Sequence, residues 1–264
     1  MNNLNEKEKS KGVLIFAFDS SVKYTQIAIQ TQKLIKKFLN LPVTIVTDSL
    51  VTGFDNNIVV ENTSVNYKSA FDSSNWRNFD RFCAYELSPY DETILIDADY
   101  LTMSDNLINQ LDVTYDYKIM TENKTLTQDW DLTMGAISIP YKWATVIVFK
   151  KTEKTKLLFN LAGRIQRNYG YYRKLYNIRE GNFRNDYAFT IADYILNGYQ
   201  TNINTTINTS MITIDNVITN ITIKDEFIVI KDTDKGYVIP KVDLHIMDKQ
   251  YLLTKQFEEF VDLL

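Results

Sequence analysis

The chain has 264 residues, with 29 basic and 33 acidic side chains for a formal net charge of −4, and 45% of its residues are hydrophobic. That balance is ordinary for a globular chain and excludes wholesale disorder, and no apolar run approaches the roughly 18 residues of a membrane span. One cysteine, Cys83, excludes an intrachain disulfide framework, and one histidine, His245, excludes any site that needs two.

Met1–Lys11 is polar and charged and lacks the apolar stretch of a secretory signal. It reads as a mobile tail on a cytoplasmic protein (host cytoplasm if the chain is viral). Richness in Asn, Ile, Lys and Tyr fits an AT-rich bacterial or phage genome. Val13–Phe18 is a short continuous apolar run, the pattern of a strand buried on both faces. Tyr24–Phe38 carries Ile27, Ala28, Thr31, Leu34, Ile35 and Phe38 at helical spacing. Val43–Val46 is a second strand and Ile58–Val60 a short third. This strand–helix–strand order predicts a parallel α/β unit with a right-handed crossover.

Farther along, Trp76–Leu87 has helical spacing through Phe79, Phe82, Cys83 and Leu87, and Thr93–Ile96 is a buried strand. Residues 101–111 predict a short helix capped by Ser104-Asp105-Asn106. Ala144–Phe149 predicts a strand, followed by helices over Glu153–Asn168 and Asn185–Leu196. Thr201–Asp234 alternates like short strands and turns, and Gln250–Leu264 is amphipathic at helical spacing. The organisation expected is a tail, residues 1–11, and one domain over 12–264. That domain divides into a nucleotide-sugar half at 12–112, an acceptor half at 113–249 and a C-terminal helix at 250–264.

The strongest chemical signal is Asp97-Ala98-Asp99 after the apolar Thr93–Ile96. Residues i and i+2 of extended chain share a face. Two carboxylates there repel unless a cation compensates. The small Ala98 lets a ligand approach. Hard oxygen donors suit Mg²⁺ or Mn²⁺, ions that bridge diphosphate oxygens. The carboxyl end of a strand is where open α/β sheets bind ligands. The same pair as surface acids in a solvated loop needs no ion.

The segment Arg77–Met103 resembles the core of the GT-A glycosyltransferases, in which an Arg-bearing helix precedes the strand that delivers Asp-x-Asp. Phe16-Ala17-Phe18-Asp19, with Tyr24 five residues on, is similar to the first strand and turn of the glycogenin-like and bacterial galactosyltransferase-like retaining branch. The resemblance implies a GT-A (Rossmann-like) α/β fold, with a mixed, mainly parallel central sheet and helices on both faces. It implies Asp19 and Tyr24 near the nucleoside, Arg81 and Arg77 near the donor sugar-phosphate, and Asp97 and Asp99 on the metal. The branch's His-x-x-Gly-x-x-Lys-Pro-Trp motif has a looser counterpart in His245 to Lys249. His245 would be the third metal ligand and Lys249 a diphosphate contact. Gly, Pro and Trp of that motif are absent and the lysine is nearer. The branch's Asn-Ala-Gly is replaced by Ala144-Thr145-Val146, and its Asp-Gln-Asp by Arg184-Asn185-Asp186. Asn185 or Asp186 would therefore face the reacting sugar, although either would equally serve as a helix cap.

Charge is unevenly spread. Lys142–Arg184 holds eleven basic and two acidic residues, a local +9, with tyrosines interleaved. Arg164, Arg167, Arg173, Lys174 and Arg184 read as contacts for an anionic acceptor such as DNA, or as a solvated face whose cations meet acids elsewhere. The function expected is a Mn²⁺- or Mg²⁺-dependent glycosyltransferase using a nucleoside-diphosphate sugar, UDP-sugars favoured. Its acceptor would be DNA bases, another polyanion, or a glycan. The competing expectation is a catalytically degenerate GT-A domain that only binds nucleotide sugar or nucleic acid.

Overall fold

The computed structural model describes residues 9–61, 80–111, 115–126, 139–179, 182–207 and 209–264, and the backbone alone of 66–68, 75–77 and 133–134. Seven strands form the central sheet, in the order Thr206–Ile207, Tyr117–Met120, Trp143–Lys150, Glu92–Asp97, Lys11–Phe16, Val43–Thr47, Asn56–Val59. Trp143–Lys150 runs antiparallel to both its neighbours and every other pairing is parallel, so the sheet is mixed and mainly parallel, as expected. Ile94, Leu95 and Ile96 are fully buried, which is why an unbroken apolar run marks this strand. Phe16 pairs with Asp97, so the first strand and the Asp-x-Asp strand end side by side.

Helices flank the sheet. Tyr24–Phe38 and Asn185–Leu196 have the bounds that their spacing predicts. Glu153–Arg167 is capped by Thr152, whose hydroxyl accepts from the Thr155 amide. Gly163 of this helix faces the Phe82 ring, where a Cβ would lie 2.7 Å from a ring carbon. A second apolar cluster lies under a three-stranded antiparallel sheet, Ile218–Lys224, Phe227–Asp232 and Gly236–Pro240. There Ile221, Ile228 and Ile230 meet Tyr251, Phe257 and Phe260. Burying a side chain such as Phe257 contributes about 1.5–3 kcal/mol.

Several elements differ from their sequence expectation. The helix expected over Trp76–Leu87 is helical only from Arg81. Asn75–Arg77 is instead a strand paired with Asn66–Lys68. Asp80, at φ −9° and ψ 64°, cannot continue a helix, so helical structure begins after it. Residues 101–111 give only a 3₁₀ turn, Ile108–Gln110, because Tyr100–Leu101 is drawn into a sheet. The single C-terminal helix is two, Lys249–Leu252 and Lys255–Leu263, with Thr254 capping the second through the Phe257 amide at 3.2 Å. Tyr169–Leu175 is helical without prior signal, its Gly and Tyr content being poor for helix. Residues 1–8 of the expected tail lie outside the described residues, and Lys11 already opens the first strand.

Burial, with Asp80 next, pushes the Cys83 thiol up to about 11. Thiolate is the nucleophile, so at pH 8 only about 0.1% is reactive by that value. Labelling with iodoacetamide should be slow at pH 8 and accelerate toward pH 11. Rapid labelling at pH 8 would show that the Phe82–Cys83 turn opens.

Candidate active site

The Glu92–Asp97 strand ends at the Asp97-Ala98-Asp99 turn, and the chain returns as Tyr100–Leu101. That two-residue strand is the edge of a minor four-stranded sheet, in the order Tyr100–Leu101, Leu244–Ile246, Met211–Ile214, Asn123–Thr125. His245 sits opposite Tyr100 in this pairing. The turn is held on both sides. Thr31 of the Tyr24–Phe38 helix donates to the Ala98 carbonyl at 2.5 Å, and the Ile246 amide donates to the Asp99 carbonyl at 3.1 Å. The minor sheet thus brings a residue 146 positions downstream of Asp99 to the Asp-x-Asp turn.

Asp97, Asp99 and His245 each offer a ligand atom, all within 4.8 Å of one another. Asp97 lies at the mouth, its side chain 37% exposed, and accepts from Arg81 Nη1 at 2.6 Å. Arg81 is 3% exposed and also donates to the Thr145 carbonyl at 3.3 Å. Asp99 lies deeper, 6% exposed, its Oδ2 paired with Lys249 Nζ and 3.6 Å from His245 Nε2. Lys249 donates as well to the Ile246 carbonyl at 2.8 Å. Burial pushes the Asp97 pKa up; Arg81 draws it back and the Asp99 charge raises it further. Burial opposes ionisation of Asp99 too, but Lys249, joined by His245 whenever its ring is protonated, outweighs it and holds its carboxyl well below the usual range. One carboxylate is thus firmly ionised beside a partner that binds protons more readily. Two carboxylate oxygens and an imidazole nitrogen form a donor set that fits Mn²⁺ or Mg²⁺, the imidazole favouring Mn²⁺.

The other residues singled out by sequence fall around this group unevenly. Asp19 accepts from the Thr25 amide at 2.9 Å and from its hydroxyl at 3.0 Å, so it caps the Tyr24–Phe38 helix. Tyr24 opens that helix and packs against both apolar clusters. Arg77 has its backbone in the Asn75–Arg77 strand, and its side chain lies outside the described residues. Asn185 opens its helix. Asp186 is buried; it accepts from the Ala144 amide at 2.8 Å and pairs with Arg184 Nη2 at 2.8 Å. The Asp186 charge adds the weakest of the influences that raise the Asp97 pKa. Ala144-Thr145-Val146 lies in a β-bulge between Trp143 and Ile147. The bulge frees the Ala144 amide for Asp186 and turns the Thr145 carbonyl to Arg81.

The expected acceptor cations divide in the same way. Arg173 donates to the Ile178 and Arg179 carbonyls at 3.2 and 3.3 Å, a backbone brace. Arg184 is paired with Asp186. Arg167 is exposed with its guanidinium over the Phe82 ring at 5.4 Å, while Arg164 and Lys174 are exposed.

Four residues around the site are not marked for it by the sequence: Thr31, legible only as part of a helical stripe, and Asn123, Thr213 and Asp243. Asp243 accepts from Tyr100 Oη at 2.6 Å and from the Met103 amide at 2.8 Å, fixing the chain just past the turn. Burial, then Asp243, pushes the Tyr100 hydroxyl well above 10. Asp243 lies two residues before His245 on an alternating stretch, the one pattern that could have flagged it. Among the described residues no helix is long and apolar enough to cross a membrane.

No protein-family model matches the chain, and no curated protein does. Solved structures do. The galactosyltransferase LgtC, in complex with donor and acceptor sugar analogues, aligns over 96% of this chain and 96% of its own at 9% identity and TM-score 0.52. An active-site mutant of LgtC aligns over 96% and 94% at 9% identity and TM-score 0.50. The apo glycosyltransferase GlyE of Streptococcus pneumoniae TIGR4 aligns over 70% of this chain and 43% of its own at 12% identity and TM-score 0.38, so this chain spans less than half of GlyE. At such identities the likeness speaks to architecture. The alignment with LgtC over nearly the whole of both chains, together with the mainly parallel sheet and its flanking helices, shows that the chain has the GT-A glycosyltransferase fold.

Proposed function

We propose that the chain is a metal-dependent glycosyltransferase that moves a sugar from a nucleoside-diphosphate sugar, a UDP-sugar by preference, to an acceptor. The observation that carries the reading is the convergence of Asp97, Asp99 and His245 at the carboxyl end of a central strand in this fold. Those three residues would hold Mn²⁺ or Mg²⁺, which when bound neutralises charge on the leaving diphosphate as a Lewis acid. The chain's own part is electrostatic and positional. Glycosyl transfer leaves negative charge on the diphosphate, and fixed cations aimed at it lower the barrier. Arg81 and Lys249 are assigned that task; both are buried beside the carboxylates, so their charges are weakly screened. Asp19 and Tyr24, with Arg77, are assigned to the donor. Asp186 holds the bulge and the helix start, and Asn185 at that helix start is assigned to the reacting face of the sugar.

An anionic acceptor, DNA among the candidates, is favoured by the exposed Arg164, Arg167 and Lys174 over a neutral glycan. Its retention should weaken steeply with salt. A second reading, a GT-A domain that binds nucleotide sugar without turnover, is favoured by one observation: Lys249 already neutralises Asp99. Calorimetry with UDP and Mn²⁺, run beside a UDP-sugar hydrolysis assay, tests both. Metal-dependent binding with turnover supports the transferase, and binding without turnover supports the second reading. Absence of binding to any nucleotide sugar overturns both.

A further inference from the structure

We infer that Asn123 and Thr213 are positioning residues that hold His245 as the tautomer with its proton on Nδ1, so that Nε2 offers a lone pair to the cation site. The inference rests on the metal-site reading above, and it concerns residues that reading does not use.

The minor sheet brings these groups together on neighbouring strands, with Asn123 in register with Met211, two residues before Thr213. Thr213 is the register partner of His245 in one parallel pair, and Asn123–Thr125 pairs with the other side of the Thr213 strand. All three side chains are buried. Thr213 Oγ1 donates to Asn123 Oδ1 at 2.8 Å. A hydroxyl has one proton to give and lone pairs to receive with. In this orientation of the Asn123 amide, which leaves its Nδ2 buried without a partner, the Thr213 proton is committed to an oxygen that cannot donate, and the contact between Thr213 Oγ1 and His245 Nδ1 at 3.2 Å runs the other way. Nδ1 is the donor. A neutral imidazole carries a proton on one ring nitrogen only, so Nε2 is bare, and it is Nε2 that faces Asp99 Oδ2 at 3.6 Å.

The opposite arrangement is worse placed. With the proton on Nε2, the nitrogen would stand 3.6 Å from Asp99 Oδ2, longer than a donor–acceptor hydrogen-bond distance, and that oxygen already binds Lys249. A bare Nε2 against a carboxylate oxygen is what a divalent ion needs and what the metal-free pair would otherwise avoid. Partners behind a metal-ligating histidine commonly set its tautomer and ring orientation. Here the partner is a neutral hydroxyl braced by an amide, so it orients the ring without adding charge to the site.

The single histidine makes the test direct. ¹⁵N-histidine NMR on the metal-free wild type at pH 8 reads the two ring nitrogens of one residue. The expected result is a protonated Nδ1 and a bare Nε2. Thr213→Val keeps the volume and removes the acceptor. It should move the tautomer population toward Nε2–H and weaken Mn²⁺ binding, followed by titration with electron paramagnetic resonance, by about 10–100-fold. Thr213→Ser should restore both. A wild type protonated at Nε2, as a reversed Asn123 amide would give, overturns the inference. So does a Thr213→Val protein with unchanged tautomer and Mn²⁺ affinity. Should Thr213→Val fail to fold, the wild-type spectrum decides the tautomer by itself. Absence of Mn²⁺ binding by the wild type overturns the metal-site reading instead, and the metal-free tautomer separates that failure from this one.

Discussion

In the Asp99→Asn protein, turnover of the donor sugar should fall by about a thousandfold, since the electrostatic contribution of a bound metal is several kcal/mol. The melting temperature should fall too, by roughly 10 °C, because removing one partner of a buried ion pair costs about 3–5 kcal/mol. The partner left behind is Lys249, whose buried ammonium would keep the Ile246 carbonyl and at most a neutral amide oxygen, with no countercharge. The same change at Asp97 should abolish turnover to a similar degree with a smaller loss of stability, about 1–2 kcal/mol. An amide oxygen at position 97 still accepts from Arg81, and the side chain is open to solvent over 37% of its surface. Thermal melts beside a UDP-sugar turnover assay separate the two carboxylates. If Asp99→Asn were thermally silent, the Lys249–Asp99 pair would not be part of the folded state. If either variant kept full turnover, the metal-dependent reading would fall.

That asymmetry between Asp97 and Asp99 shows where sequence reading stops. The helices Tyr24–Phe38 and Asn185–Leu196 are legible because each is long enough for its period to repeat, and the strand Glu92–Asp97 because its apolar run is unbroken. The minor sheet is not, since Tyr100–Leu101, Leu244–Ile246 and Asn123–Thr125 have two or three residues each. No alternation can be counted over such lengths, yet this sheet is what carries His245 to Asp99. His245 is legible through family resemblance, whereas its partners are not: Thr213 is one of many threonines in Thr201–Asp234, and Asn123 lies 90 residues upstream of it. Charge counting misleads in a related way. The +9 of Lys142–Arg184 includes Arg173, spent on backbone carbonyls, Arg184, spent on Asp186, and Lys142, spent in the core. Composition counts cations, and only the fold says which of them face outward.

Lys142 carries the second large expected effect. Its ammonium is buried, with Asp193 Oδ2 at 3.0 Å, Thr205 Oγ1 at 2.9 Å and the Thr205 carbonyl at 3.2 Å. Asp193 in turn accepts from Tyr117 Oη and Asn197 Nδ2, each at 3.0 Å. Burial lowers the Lys142 pKa from 10.5 and Asp193 opposes that, as expected of an ammonium stabilised mainly by its one carboxylate. Lys142→Met should therefore destabilise the protein by about 3–5 kcal/mol, leaving a carboxylate buried with neutral donors only. Adding Asp193→Leu should recover much of that loss, since an apolar pair of similar volume often matches a buried ion pair. The pair also ties together three elements: the start of Trp143–Lys150, the helix that begins at Asn185, and the edge strand after Thr205. Asp193 lies about two turns along the helix from Asn185, so loosening the pair unseats the far half of that helix and lets the whole helix shift, and turnover should drop in Lys142→Met beyond what the folded fraction explains. The Asp97, Asp99 and His245 atoms are untouched, so Mn²⁺ affinity should hold. A Lys142→Met protein that melts like the wild type would mean the ammonium is not the core's tie. One that loses Mn²⁺ along with stability would mean that the helix and the Asp-x-Asp turn move as a single body.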